Sequence, residues 1–131
     1  MAVQLNHTIV ASEDPAKSAT WFAEILGLEQ PVRFGPFWEV STSNGVTLAF
    51  DRHDAPDEVA SQHYAFLISE EEFDAIFGRI VDRGIDHYAD PGRRHPGEIN
   101  HNDDGRGVYF PDPDGHLLEI LTRRYGSGQS G

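Results

Sequence analysis

The sequence predicts an α+β fold built from one pattern used twice: a strand, a helix, then three strands. Three observations carry that prediction. Two segments place apolar residues at helical spacing between a capping residue and a glycine. The other apolar runs are short, rich in β-branched and aromatic residues, and bounded by Gly, Pro, Asn or Asp. The order of these runs restarts at His63 as it began at His7, with Gly45 and Gly115 closing corresponding turns. At 131 residues, 38% hydrophobic and 24% charged, the chain suits one compact domain and is too apolar to be disordered.

The first strand covers about residues 4–11 and contains His7. A helix follows, with Asp14 as cap, Pro15 in the first turn and Gly27 at the end. Trp21, Phe22, Ile25 and Leu26 form its apolar stripe. Leu28–Phe34, Pro36–Ser41 and Val46–Phe50 read as three strands, the last two joined at Asn44-Gly45. Residues 51–61 are polar, contain Pro56 and read as a connector. His63–Ile68 opens the second round as a strand. Ser69 and Glu72 have the spacing of a capping box for a second helix, with Phe73, Ile76, Phe77, Ile80 and Val81 on one face and Gly84 beyond its end. Ile85–Ala89 reads as a short strand and Asp90–Gly105 as a long polar loop, the kind that is often functional.

The chain then reaches Gly107-Val108-Tyr109-Phe110-Pro111-Asp112-Pro113-Asp114-Gly115-His116-Leu117-Leu118-Glu119, two apolar runs around a Pro/Asp/Gly turn. Side chains on a strand alternate. If Val108, Phe110, Leu118 and Ile120 face the core, Tyr109 and Glu119 point together to the other face. A carboxylate in so apolar a strand is costly unless it is paired or holds a metal. His7 and His63 each open a strand, and two imidazoles with one carboxylate make a ligand set suited to iron, manganese or zinc with open positions.

Net charge is −12, which argues against nucleic acid or an anionic membrane as partner. There is no cysteine, so disulfides, thiolate nucleophiles and Cys-based metal sites are excluded, in keeping with a reducing cytoplasm. No apolar run approaches a membrane span, and residues 1–15 lack the character of a signal peptide.

The segment Tyr109-Phe110-x-Asp112-Pro113-Asp114-Gly115-His116-x-x-Glu119, with Asn6-His7 and His63-Tyr64-Ala65-Phe66, resembles the vicinal oxygen chelate superfamily of glyoxalases, fosfomycin and bleomycin resistance proteins and extradiol dioxygenases. The resemblance spans about residues 4–122. It implies two paired βαβββ modules, 4–51 and 62–122, forming a curled mixed sheet around a metal cleft, with a connector at 52–61 and a flexible tail at 123–131. It implies a divalent ion (Fe, Mn, Ni or Zn) held by His7, His63 and Glu119, a small-molecule substrate and a homodimer. A fourth ligand position falls at Ala49 or Thr47, neither of which suits a metal, so a glyoxalase I activity is not expected.

Within the superfamily a dioxygenase-like reaction is expected. Tyr109 matches the tyrosine that hydrogen-bonds substrate, and His101, on the loop before the closing hairpin, stands in for an absent first-module histidine. Two alternatives remain open. A fosfomycin-type thiol transferase would need an anion clamp; the chain has a single lysine, Lys17 on the first helix, which leaves Arg93, Arg94 and Arg106. A metal-free, bleomycin-resistance-like protein would bind its ligand without reaction.

Overall fold

A computed structural model describes residues 2–53 and 58–128. Part of the expected connector, 54–57, and the end of the expected tail, 129–131, lie outside the described residues. The chain divides into two compact units, Met1–Ala60 and Ser61–Gly131.

The first unit contains β1 (His7–Ser12), α1 (Pro15–Leu26), β2 (Val32–Phe34), β3 (Phe37–Ser41) and β4 (Thr47–Arg52). The α1 start is as its residues dictate: the Asp14 carboxylate accepts from the Lys17 amide and Pro15 occupies the first turn. The helix ends because Gly27 enters the left-handed region at φ 69°, which lets the Leu28 amide reach back to the Ala23 carbonyl. Phe22, Ile25 and Leu26 are buried, and Phe22 meets Phe50 of β4 edge to face at 5.2 Å between centroids. The strands form a mixed sheet in the order β1-β4-β3-β2, with β1 and β4 parallel. Asn44-Gly45 makes the β3–β4 turn, Gly45 at φ 80°. β2 is shorter than the expected strand and all three of its residues are exposed.

The second unit contains β5 (His63–Leu67), α2 (Glu70–Asp82), β6 (Gly107–Pro111) and β7 (Leu117–Leu121), with sheet order β5-β7-β6. Here too the first and last strands pair in parallel. Both halves of the capping box are present: the Ser69 hydroxyl accepts from the Glu72 amide, and the Glu72 carboxylate from the Ser69 amide. Phe73, Ile76 and Ile80 are buried, whereas Val81 is 52% exposed.

The expected strand at 85–89 is absent. Tyr88 alone exchanges both backbone hydrogen bonds with Tyr109, each 2.8 Å. The chain then turns away because the Asp90 carboxylate collects the amides of Arg94 and His95. Seven strands result among the described residues, where eight were expected. The loop that follows is tied down: Asn100 and Gly107 exchange amide–carbonyl bonds, and the Asn100 side chain donates to Ala89. No described helix is long and apolar enough to cross a membrane.

Candidate metal centre

β7 carries Glu119 into a place where only 1% of it is exposed. The register sets Tyr109 of β6 opposite it on one side and Ala65 of β5 on the other. Alternation works as the hairpin pattern implied: Val108, Phe110, Leu118 and Ile120 share one face and are fully buried. Tyr109 and Glu119 share the other. An ionised carboxylate so enclosed must be compensated.

Its compensation has two parts. His63 Nε2 lies 3.0 Å from Glu119 Oε1. The Tyr125 hydroxyl lies 2.8 Å from Oε1 and 2.6 Å from Oε2. Tyr125 in turn meets the Tyr109 hydroxyl at 3.0 Å, and the Tyr109 ring stacks on the His63 imidazole at 5.8 Å. Burial, followed by the influence of Glu119, pushes the Tyr125 phenol well above its ordinary range. Burial also raises Tyr109. Both phenols therefore keep their protons at neutral pH.

The histidine carries the strongest sign of a cation site. His63 Nδ1 is 2.9 Å from the Leu117 carbonyl, which can only accept, so Nδ1 bears the proton. In the neutral ring Nε2 is then a bare lone pair facing a carboxylate oxygen. Two acceptors at that distance repel; a positive charge, either a second ring proton or a metal ion, is needed to hold them together. Orientation of a ligating imidazole by a carbonyl on its other nitrogen is a common feature of metal centres. In the first unit His7 is exposed, and its Nδ1 is likewise engaged, 2.7 Å from the Asn6 side-chain oxygen, leaving Nε2 open.

The structure thus brings Glu119, His63 and Tyr109 together. It gathers no cluster of three or more metal-ligating side chains among the described residues, and His7 is in the first unit. His101 stands before the 3-10 turn Asn102–Asp104, exposed and making no capping hydrogen bond.

Register identifies the first-unit counterpart of Glu119. Two residues after His63, Ala65 pairs with Glu119; two residues after His7, Ile9 pairs with Ala49. Ala49, not Thr47, is the counterpart of Glu119, and it has no donor atom.

Arg106, one of the three arginines left as candidates for an anion clamp, is otherwise engaged. Its guanidinium bonds Glu70 at 2.8 Å and Asp74 at 2.7 Å, and lies over the Phe73 ring at 4.4 Å. Arg93 stacks on Tyr88 at 5.6 Å. His116 is fully buried: its Nδ1 accepts from the Gln62 amide, tying the closing turn to the start of β5.

Tyr125 is the functional candidate the sequence did not reveal. It stands in a Gly/Ser-rich stretch to which composition assigns no packing. The only available signal was an aromatic residue isolated there.

The fold and this donor arrangement define a vicinal-oxygen-chelate type of protein. A family model for the Glyoxalase/Bleomycin resistance protein/Dioxygenase superfamily matches residues 4–120, and the chain belongs to that superfamily. The solved structure of "Oxidase ChaP-H1" is similar at 61% identity and a TM-score of 0.92, covering 95% of this chain and 99% of that one. Glutathione transferase FosA of Serratia marcescens is 30% identical over 92% of this chain and 81% of its own length. Metallothiol transferase FosB of Shouchella clausii is 31% identical over 90% of this chain and 79% of its own length.

Proposed function

We propose that this chain is a divalent-metal-dependent enzyme that oxidises a small molecule bearing neighbouring oxygen atoms, in the manner of a dioxygenase. The observation that carries this reading is the near-full-length likeness to an oxidase at 61% identity, about twice that to the thiol transferases. The ligands are His63 and Glu119, with His7 as the third; iron or manganese suits two imidazoles and one carboxylate. When bound, the ion supplies Lewis acidity toward chelating substrate oxygens.

The chain's own residues do the rest. His63 keeps its Nδ1 proton on the Leu117 carbonyl, which fixes its other nitrogen in direction. The Tyr109 hydroxyl, beside both His63 and Glu119, orients the substrate. His101 is the proposed proton carrier on the loop that precedes β6. The working form is proposed to be a homodimer.

Thiol transfer to a fosfomycin-like substrate is the less supported reading, because Arg106 is held by Glu70 and Asp74 and no lysine lies in the second unit. One experiment separates the two. The metal-free protein is loaded anaerobically with Fe(II) or Mn(II) and mixed with a catechol and dioxygen, or with fosfomycin and a thiol. Metal-dependent oxygen uptake that Glu119→Gln abolishes is the expected result. A thiol adduct without oxygen uptake would replace oxidation by transfer.

A further inference from the structure

The Tyr125 hydroxyl has one proton and faces two oxygens that can only accept. The shorter contact, 2.6 Å, marks Glu119 Oε2 as the acceptor. Oε1 is then the oxygen left for whatever lies between the carboxylate and His63 Nε2. The Tyr109 hydroxyl stands 3.0 Å from that of Tyr125 and also hydrogen-bonds Glu119, so the two phenols and the carboxylate form one network.

What holds Tyr125 in place is also visible. The Asp103 carboxylate accepts from the amides of Gly126 at 3.0 Å and Gly128 at 3.3 Å. Asp103 itself adopts φ 58°, a conformation that aspartate tolerates better than most residues. A side chain on Gly128 would run into the Asp103 main chain. Residues 125–128 therefore form a strap seated on the 3-10 turn.

We propose that Tyr125 is a positioning residue of the metal centre: docked by Asp103, its hydroxyl occupies Glu119 Oε2 so that Oε1 is aimed at the cation. The proposal rests on the metal reading above and adds to it a residue that orients its carboxylate.

The test titrates Mn(II) into metal-free protein, followed by electron paramagnetic resonance, with melting of the metal-free forms alongside. Tyr125→Phe should weaken Mn(II) about 10- to 100-fold, the usual cost of losing a partner that orients a ligand, while the metal-free melting temperature stays near that of the parent. Gly128→Ala, which disturbs the strap and leaves Tyr125 in the chain, should weaken Mn(II) in the same direction. The Co(II) absorption spectrum should change in Tyr125→Phe, as a purely structural residue would not require. If Tyr125→Phe binds Mn(II) as tightly as the parent or more tightly, while Glu119→Gln loses it, the positioning role is overturned and the metal centre stands. If Glu119→Gln also binds like the parent, the metal reading falls and the proposal with it.

Discussion

Glu119 sits at 1% exposure with a histidine and a tyrosine on its two oxygens, and its substitution has a sharp expected outcome. Glu119→Gln keeps the size and lets Tyr125 go on donating to a side-chain oxygen. Its new amide group can donate to the bare Nε2 of His63, so the metal-free protein should melt close to the parent. Affinity for Mn(II), measured by calorimetry, should fall by roughly a hundredfold or more, since a ligand charge is gone. Asp112 makes the second residue-scale prediction. Its Oδ1 accepts from the amides of Asp114 and His116, while its Oδ2 is buried without a partner. Burial raises its pKa from 3.8 to about 6, against the opposing pull of His116. A carboxyl whose folded pKa is raised favours the native state when protonated. That contribution is fully present below the unfolded value and is lost as pH rises through about 6. Denaturant unfolding should therefore show the parent gaining stability relative to Asp112→Asn on going from pH 7.5 to near pH 5, by about 1 kcal/mol. The pairing of Tyr109 with Glu119 was legible because alternation along two strands is a local rule. Tyr125 and the burial of His116 were not, because each depends on contacts between residues whose proximity no periodicity announces.

Both helices could be read in advance from their ends. Asp14, Pro15 and Gly27 bracket α1, and Ser69 with Glu72 opens α2, because caps satisfy backbone groups within a few residues. Ser69→Ala removes the acceptor of the Glu72 amide and should cost about 1 kcal/mol of unfolding free energy in urea, with the denaturant slope unchanged. The segment 85–89 misled for the opposite reason. Its apolar and aromatic residues suit a strand, but strand identity also requires a partner along the whole length, and only Tyr88 reaches β6. The arginine in the loop before β6 misled similarly. Arg106 reads as one candidate among three for an anion, whereas the fold uses it to join the β6 entry to the first two turns of α2 through Glu70 and Asp74.

At the scale of the whole molecule, the first unit leaves apolar side chains on its sheet edges. The order β1-β4-β3-β2 gives β1 and β2 one strand neighbour each. On β2, Val32 is 67% and Phe34 68% exposed; on β1, Ile9 is 48% exposed, with Leu5 just before it at 67%. Short apolar edges of this kind are usually covered, and the expected cover is a second copy of the chain. Charge opposes that association, since each chain carries a net −12. Salt screens such repulsion over about 10 Å at 0.1 M. The dimer should therefore tighten, not weaken, as salt is raised, contrary to an interface held by ion pairs. Light scattering at micromolar concentration should give twice the chain mass, and sedimentation should show a smaller dissociation constant at high salt. Phe34→Glu adds a charge to an exposed edge residue outside the core, so it should shift the equilibrium toward monomer while leaving the unfolding of each chain nearly unchanged. A monomer mass for the parent at every salt concentration would reject the dimer, and the apolar edges of β1 and β2 would then need another explanation.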